Sequence, residues 1–327
     1  MPRTTLLQNW LAQHFSCTPA QIKLTPASAD ASFRRYFRLQ LADGGTRIIM
    51  DAPPELEDCR PFLKVAAVFR EAGVHVPEVY AENLEQGFLL LSDLGNTTYL
   101  QALDASSAPA LYRDANTALI AIQRASRPGV LPAYDRALLE RELNLFPDWY
   151  IGRHLGVMLS ADQENTLREV FARILANNLA QASVFVHRDY HSRNLMRIEN
   201  ARNPGIIDFQ DAVYGPLTYD LVSLYRDAYI TWEETQELDF VIRYWEAART
   251  AGLPVSGDFH DFYRDYEWMG AQRQLKVLGI FARLYYRDGK DGYLKDMPRV
   301  MAYLRRTCER YGELRPLLRL LDTLSPA

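Results

Sequence analysis

The sequence predicts an α+β fold in two lobes, a small antiparallel sheet lobe followed by a large, mainly helical one. Three observations lead there. Five short β-prone segments, interrupted by one helical stretch, fall before Asp93. From Thr97 onward the apolar residues recur mostly at helical spacing. The strand-like segments of that second half, Ala182 to Val186 and Pro204 to Asp208, flank a polar loop rich in His, Asp and Asn.

Leu6, Leu7, Trp10, Leu11 and Phe15 share one helical face, so the chain opens with a short amphipathic helix whose stripe is core rather than membrane anchor. Gln21 to Ala27, Arg35 to Leu41 and Thr46 to Asp51 read as strands, the last two joined by a hairpin at Asp43-Gly44-Gly45. After Pro53-Pro54, Cys59 to Ala72 has helical periodicity and stops at Gly73. Val79 to Asn83 and Phe88 to Ser92 follow as strands across a turn at Gly87. Helices are expected over Leu111 to Arg124, Leu138 to Leu155 and Ala161 to Asn178, then from Tyr219, Glu233, Phe259 and Met297 onward. The lobe boundary falls near Asp93 to Asn96, giving a first lobe over 1–95 and a second over 96–327.

Composition excludes several classes. With 327 residues, 48% hydrophobic and 24% charged, the chain can fill a sizeable core, and it carries no tandem repeat or low-complexity tract. A net charge of -4 argues against nucleic acid as the main partner, which usually leaves a basic footprint. Cys17, Cys59 and Cys308 are odd in number, widely spaced and without a metal-ligand pattern, so they read as packed thiols. No signal-peptide core opens the chain and no apolar run reaches the ~20 residues that span a bilayer, so a cytoplasmic protein without membrane or obligate protein partner is expected.

The chemistry is concentrated at His187-Arg188-Asp189-Tyr190-His191-Ser192-Arg193-Asn194 and at Ile206-Ile207-Asp208-Phe209. The first segment fits the catalytic-loop pattern H-R-D-L-x-x-x-N with Tyr190 in place of Leu. Phosphoryl transfer needs a carboxylate beside the attacking hydroxyl and oxygen ligands that hold Mg²⁺ against the phosphates of ATP. Asp189 supplies the first; Asn194 and Asp208, both hard oxygen donors, supply the second, Asp208 being the stronger metal ligand.

These motifs, with Gly215-Pro216 and Asp220 downstream, resemble the aminoglycoside-phosphotransferase-like small-molecule kinases, whose two-lobed fold is protein-kinase-like. More narrowly, 30–38, Met50-Asp51-Ala52-Pro53-Pro54, Asp148-Trp149-Tyr150, Asp208-Phe209-Gln210-Asp211-Ala212 and 272–281 look like the bacterial N-acetylmuramate/N-acetylglucosamine anomeric kinases of cell-wall recycling. The resemblance implies ATP- and Mg²⁺-dependent phosphorylation of the C1 hydroxyl of an amino sugar, with ATP in the cleft between the lobes.

Two departures from the broader kinase pattern bear on ATP. The loop Pro26 to Ser32 has no glycine, although small residues, Ser32 among them, still allow backbone approach to phosphate. Met50 stands where a phosphate-pairing lysine is expected. Either Arg34 or Arg35 then supplies the charge or both are surface charges on an exposed strand; strand alternation sends only one toward the cleft, and Arg34 is the expectation. Leu89 to Gly95, with Ser92 and Asp93, is the candidate adenine hinge, read equally well as an edge strand ending in a turn. Asp211 is a candidate for a sugar hydroxyl or a second metal, or a turn cap. Arg273, Lys276 and Arg283 on the late helix are candidates for the lactyl carboxylate of N-acetylmuramate, against the usual solvation of helix charges. Trp149, Tyr150 and Tyr225 are stacking candidates for which core packing is the stronger reading, and Asp220 is expected to hold the catalytic loop through backbone amides. Aminoglycoside phosphorylation and a non-catalytic nucleotide-binding scaffold stay open as alternatives.

Overall fold

Five short strands, paired antiparallel, build the first sheet. The computed structural model describes residues 2–29, 33–199 and 202–324. The chain divides into two units, Met1–Thr97 with Met196–Asp211, and Thr98–Leu195 with Ala212–Ala327. The first unit opens with α1 (Arg3–His14), then β1 (Leu24–Ala29), β2 (Arg35–Gln40), β3 (Thr46–Asp51), α2 (Arg60–Glu71), β4 (Val79–Asn83) and β5 (Phe88–Ser92). The sheet order is β1-β2-β3-β5-β4 and its pairings are antiparallel. Leu39, Ile49, Phe88 and Leu90 point to one face and bury Leu7 and Leu11 of α1 against them. Each such burial contributes about 1.5–3 kcal/mol, which is why the short α1 stays attached.

Strand β1 starts later than the sequence suggests, because Pro19–Gln21 is taken up in a 3₁₀ turn capped by Thr18. The β2–β3 turn falls at Asp43-Gly44-Gly45, where Gly44 adopts φ +87° and the Gly45 N–H donates to Asp43 Oδ1 at 2.8 Å. At the end of β3, Asp51 is fully buried and its two carboxylate oxygens are taken by Arg3 of α1 and Arg35 of β2. A carboxylate is tolerated inside only when paired in this way.

The second unit runs through α3 (Tyr99–Ala102), α4 (Ala108–Arg124), α5 (Arg136–Leu143), a π-helix (Phe146–Leu155), α6 (Ala161–Ala180) and β6 (Ser183–Val186). Strand β7 (Leu195–Met196) pairs with β8 (Gly205–Ile206), which belongs to the first unit, and in the second unit β9 (Val213–Pro216) returns to pair antiparallel with β6. Helices α7 (Tyr219–Tyr225), α8 (Glu234–Thr250), α9 (Phe259–Asp288), α10 (Met297–Arg310) and α11 (Arg315–Leu324) complete it. Ser160 caps α6 by accepting from the Gln163 N–H while the Gln163 side chain accepts from the Ser160 N–H. Every residue of α9 from Tyr266 to Gly279 is buried, the signature of a helix surrounded by its neighbours on all sides. No helix among the described residues is long and apolar enough to cross a membrane.

The single helix expected over Leu138 to Leu155 breaks into α5 and the π-helix. Two local causes coincide: Pro147 has no N–H to give to the helical ladder, and α9 presses against the break. The pressing residue is Gly279, where a Cβ would stand 2.4 Å from the carbonyl carbon and oxygen of Leu145. Gly279→Ala is therefore expected to lose about 1–3 kcal/mol through forced separation of the two elements, read as a lower urea midpoint. An unchanged midpoint would show that the contact yields without cost.

Candidate active site

The second unit holds one group of candidate residues. Strand β6 ends at Val186, and the loop that follows is gripped from α7: Asp220 accepts from the His187 N–H at 2.6 Å and the Arg188 N–H at 3.0 Å. Between them Arg188 adopts φ +77°, a left-handed conformation that a side chain rarely takes. The next N–H, that of Asp189, donates to His187 Nδ1 at 3.3 Å, which places the ring proton on Nε2. Asn194 folds back, its amide nitrogen donating to the Asp189 carbonyl at 3.0 Å. Tyr190, at the Leu position of the pattern, is fully buried and satisfies its hydroxyl on the Ala115 carbonyl at 2.9 Å. Asp227 closes the far end by accepting from the Ser192 N–H at 2.9 Å.

Charge around Asp189 favours its ionised form. Burial pushes the carboxyl up, but Lys276, then His191, Arg273 and Arg188 together hold it below the usual range. Burial pushes the His191 ring below its ordinary value, against the pull of Asp227 and Asp189. Lys276 and Arg273, on α9, are both buried rather than solvated. Lys276 donates to the Tyr219 hydroxyl at 2.8 Å and pairs with Glu142 at 3.2 Å. Glu142, on α5, also receives Arg188 at 2.5 Å, Gln272 at 3.3 Å and the Tyr134 hydroxyl. Sequence reasoning passed over Glu142, although a signal existed: it occupies the buried stripe of α5 with Leu139 and Leu143, where an apolar residue is the default. Arg283, the third cation considered on α9, is lowered by burial.

The first unit holds the other group. Arg34 reaches Asp208, 3.7 Å apart, whereas Arg35 is committed to Asp51. Arg34 stands just before β2 and Arg35 opens it, and the two neighbours take different carboxylates. Asp208 lies just beyond β8 with φ +63°, and the Gln210 amide nitrogen donates to it at 2.9 Å and to Asp211 at 3.3 Å. Phe209, fully buried, seats its ring 4.8 Å from Phe62 and 5.8 Å from Phe69 of α2. Met50, where a lysine would fall, is 1% exposed. Strand β5 lies inside the sheet, between β3 and β4, rather than at its edge. The Ser92 hydroxyl accepts from the Glu78 N–H at 2.9 Å, and Asp93 is gripped by Arg38 and the Gly95 N–H. Both side chains thus hold the end of β5. Ser32 lies outside the described residues. Tyr225 is core, donating to Asn116 at 2.7 Å, and Tyr150 stacks on Phe146.

Asp220 carries a measurable pH signature. Burial pushes it from its ordinary value of 3.8 up to about 7, against the two N–H donors. A group raised in the fold contributes stability that is complete below pH 3.8 and lost progressively as pH rises through about 7. Melting temperatures across that window should fall for the native sequence relative to Asp220→Asn; parallel curves would show that Asp220 does not titrate there.

Comparison with known proteins gives the family and the fold. The model of the phosphotransferase enzyme family (APH) matches residues 23–255. A protein of Neisseria meningitidis named N-acetylmuramate/N-acetylglucosamine kinase is 50% identical over 99% of this chain and 96% of its own length. One of the same name from Pseudomonas aeruginosa is 52% identical over 92% of this chain and 88% of its own. Among solved structures, a choline/ethanolamine kinase family protein from Mesorhizobium loti superposes with a TM-score of 0.66 at 15% identity, covering 98% of this chain and 99% of that one, a likeness of fold. The fold is the α+β, protein-kinase-like fold expected from the sequence, and the chain belongs to the phosphotransferase enzyme family as a kinase.

Proposed function

We propose that this kinase transfers the terminal phosphoryl group of ATP to the C1 hydroxyl of N-acetylmuramate, N-acetylglucosamine or both, yielding the sugar 1-phosphate and ADP in the recycling of peptidoglycan. The observation that carries the reading is the 50% identity, over nearly the full length of both chains, with the Neisseria protein named for those two sugars. The supply of ATP and the unpaired thiols Cys17, Cys59 and Cys308 fit a cytoplasmic reaction.

Asp189 accepts the C1 hydroxyl proton as the oxygen attacks the terminal phosphorus and the bond to the ADP oxygen breaks. Its depressed pKa, set against burial by Lys276, His191, Arg273 and Arg188, supports a carboxylate at neutral pH. Asn194, through its amide oxygen, and Asp208 would hold Mg²⁺; both are hard oxygen donors, and the donor set fits that ion. When bound, Mg²⁺ neutralises charge on the phosphate oxygens. Arg34 is assigned to the phosphates in place of the strand lysine, since guanidinium suits bidentate contact with them. Ser32, Ser92 and Asp93 contribute to the nucleotide side chiefly through their backbone. Arg273 is assigned to the lactyl carboxylate of N-acetylmuramate, because Lys276 is already committed to Glu142 and Tyr219. Asp211 takes a sugar hydroxyl.

Phosphorus NMR of the protein with Mg·ATP and each acceptor in turn tests the reading. The expected product signal with either amino sugar is coupled to the anomeric proton; a signal only with an aminoglycoside would replace the acceptor class, and no product with any acceptor would leave a nucleotide-binding scaffold. Asp189→Asn is expected to lower kcat by about 10²–10⁴-fold with ATP affinity little changed. The two arginines should separate cleanly: Arg34→Met raises the KM for ATP at unchanged melting temperature, whereas Arg35→Met lowers the melting temperature by weakening the hold on Asp51. An equal effect of both on KM would reject the assignment of Arg34.

A further inference from the structure

Arginine at position 188 is an anomaly of backbone chemistry. Its φ of +77° suits glycine, and nothing about the left-handed region favours a long charged side chain. What retains arginine there is visible at its far end: the guanidinium meets Glu142 at 2.5 Å, with side chains 20% and 7% exposed respectively. Glu142 is equally costly where it stands. It displaces an apolar residue from the buried stripe of α5, and a buried ionic group rarely adds stability over well-packed hydrophobic side chains. Yet both its oxygens are used twice. Oε1 takes Arg188 and Lys276; Oε2 takes the Tyr134 hydroxyl and the Gln272 amide. The donors come from the loop that bears Asp189, from α9 and from the segment before α5.

We propose that Glu142 is a positioning residue of the phosphoryl-transfer centre, acting through Arg188 to set the backbone of Asp189. Asp220 grips the same turn by its N–H groups, and Glu142 grips it by its side chain, so the strained residue is held from both ends. Through Lys276 the same carboxylate ties the loop to α9, which also bears Arg273. The kinetic part of this inference rests on the kinase acting on an amino sugar as proposed above; the structural part does not.

Two variants and two readouts keep these apart. Glu142→Gln keeps the shape and removes the charge. Arg188→Gly relieves the left-handed residue and removes the tether, so a loss of activity there cannot be ascribed to strain. Hydrogen exchange of the His187, Arg188 and Asp189 amides needs no acceptor, and both variants are expected to speed it at least tenfold relative to amides of α4 and α6. With amino sugar and Mg·ATP, each is expected to lower kcat at least tenfold at a temperature where it is fully folded. The KM for ATP should stay within twofold, and the double variant should be no slower than the slower single one. Exchange that rises evenly across the unit, or loop exchange that does not change, would overturn the proposal whatever the kinetics. Losses in kcat that multiply in the double variant would overturn the route through Arg188. Selective loop exchange in a protein that phosphorylates neither sugar would uphold the positioning role and reject the acceptor.

Discussion

The turn that follows β6 depends first on one carboxylate that never meets solvent. Asp220 receives two consecutive backbone N–H groups, and this bidentate grip is what makes a left-handed arginine affordable between His187 and Asp189. Because α7 carries the acceptor and β6 leads into the donors, the short ladder of β6 with β9 has a purpose beyond its four residues. It brings the chain to α7 in the register that lets Asp220 reach the loop.

The first unit solves a parallel problem with apolar contacts. Asp208 also sits at a positive φ, but its neighbour Phe209 is wedged against Phe62 and Phe69 of α2. Two aromatic partners fix the ring, the ring fixes the backbone, and the backbone presents the carboxylate to Arg34 at 3.7 Å. The β-sheet contributes direction. Alternation along β2 commits Arg35 and Arg38 to opposite duties, one closing over Asp51 with Arg3 and the other gripping Asp93 after β5.

What could be read from residues alone follows the range over which each interaction acts. The strands of the first unit were legible because hairpin glycines and β-prone runs are local signals, and the loop motif because its residue types and spacing are unusual. The role of Asp220 was legible for the same reason, as a carboxylate at a fixed distance from a motif whose amides need a partner. Arg273 and Lys276 were harder: helix charges are usually solvated, and only the complete burial of α9 from Tyr266 to Gly279 makes them interior. The break between α5 and the π-helix depends on Gly279 meeting Leu145, residues far apart in the chain. Glu142 was passed over for a similar reason, since its four partners lie in three separate segments.

Met50 carries a practical consequence. Reagents that report ATP sites by acylating the strand lysine of kinases depend on an amine at that point in the sheet, and here the position holds a thioether that is 1% exposed. A chemical survey that recognises kinases by that labelled amine would find none at this strand position, and an inhibitor built to acylate it would meet a buried thioether instead.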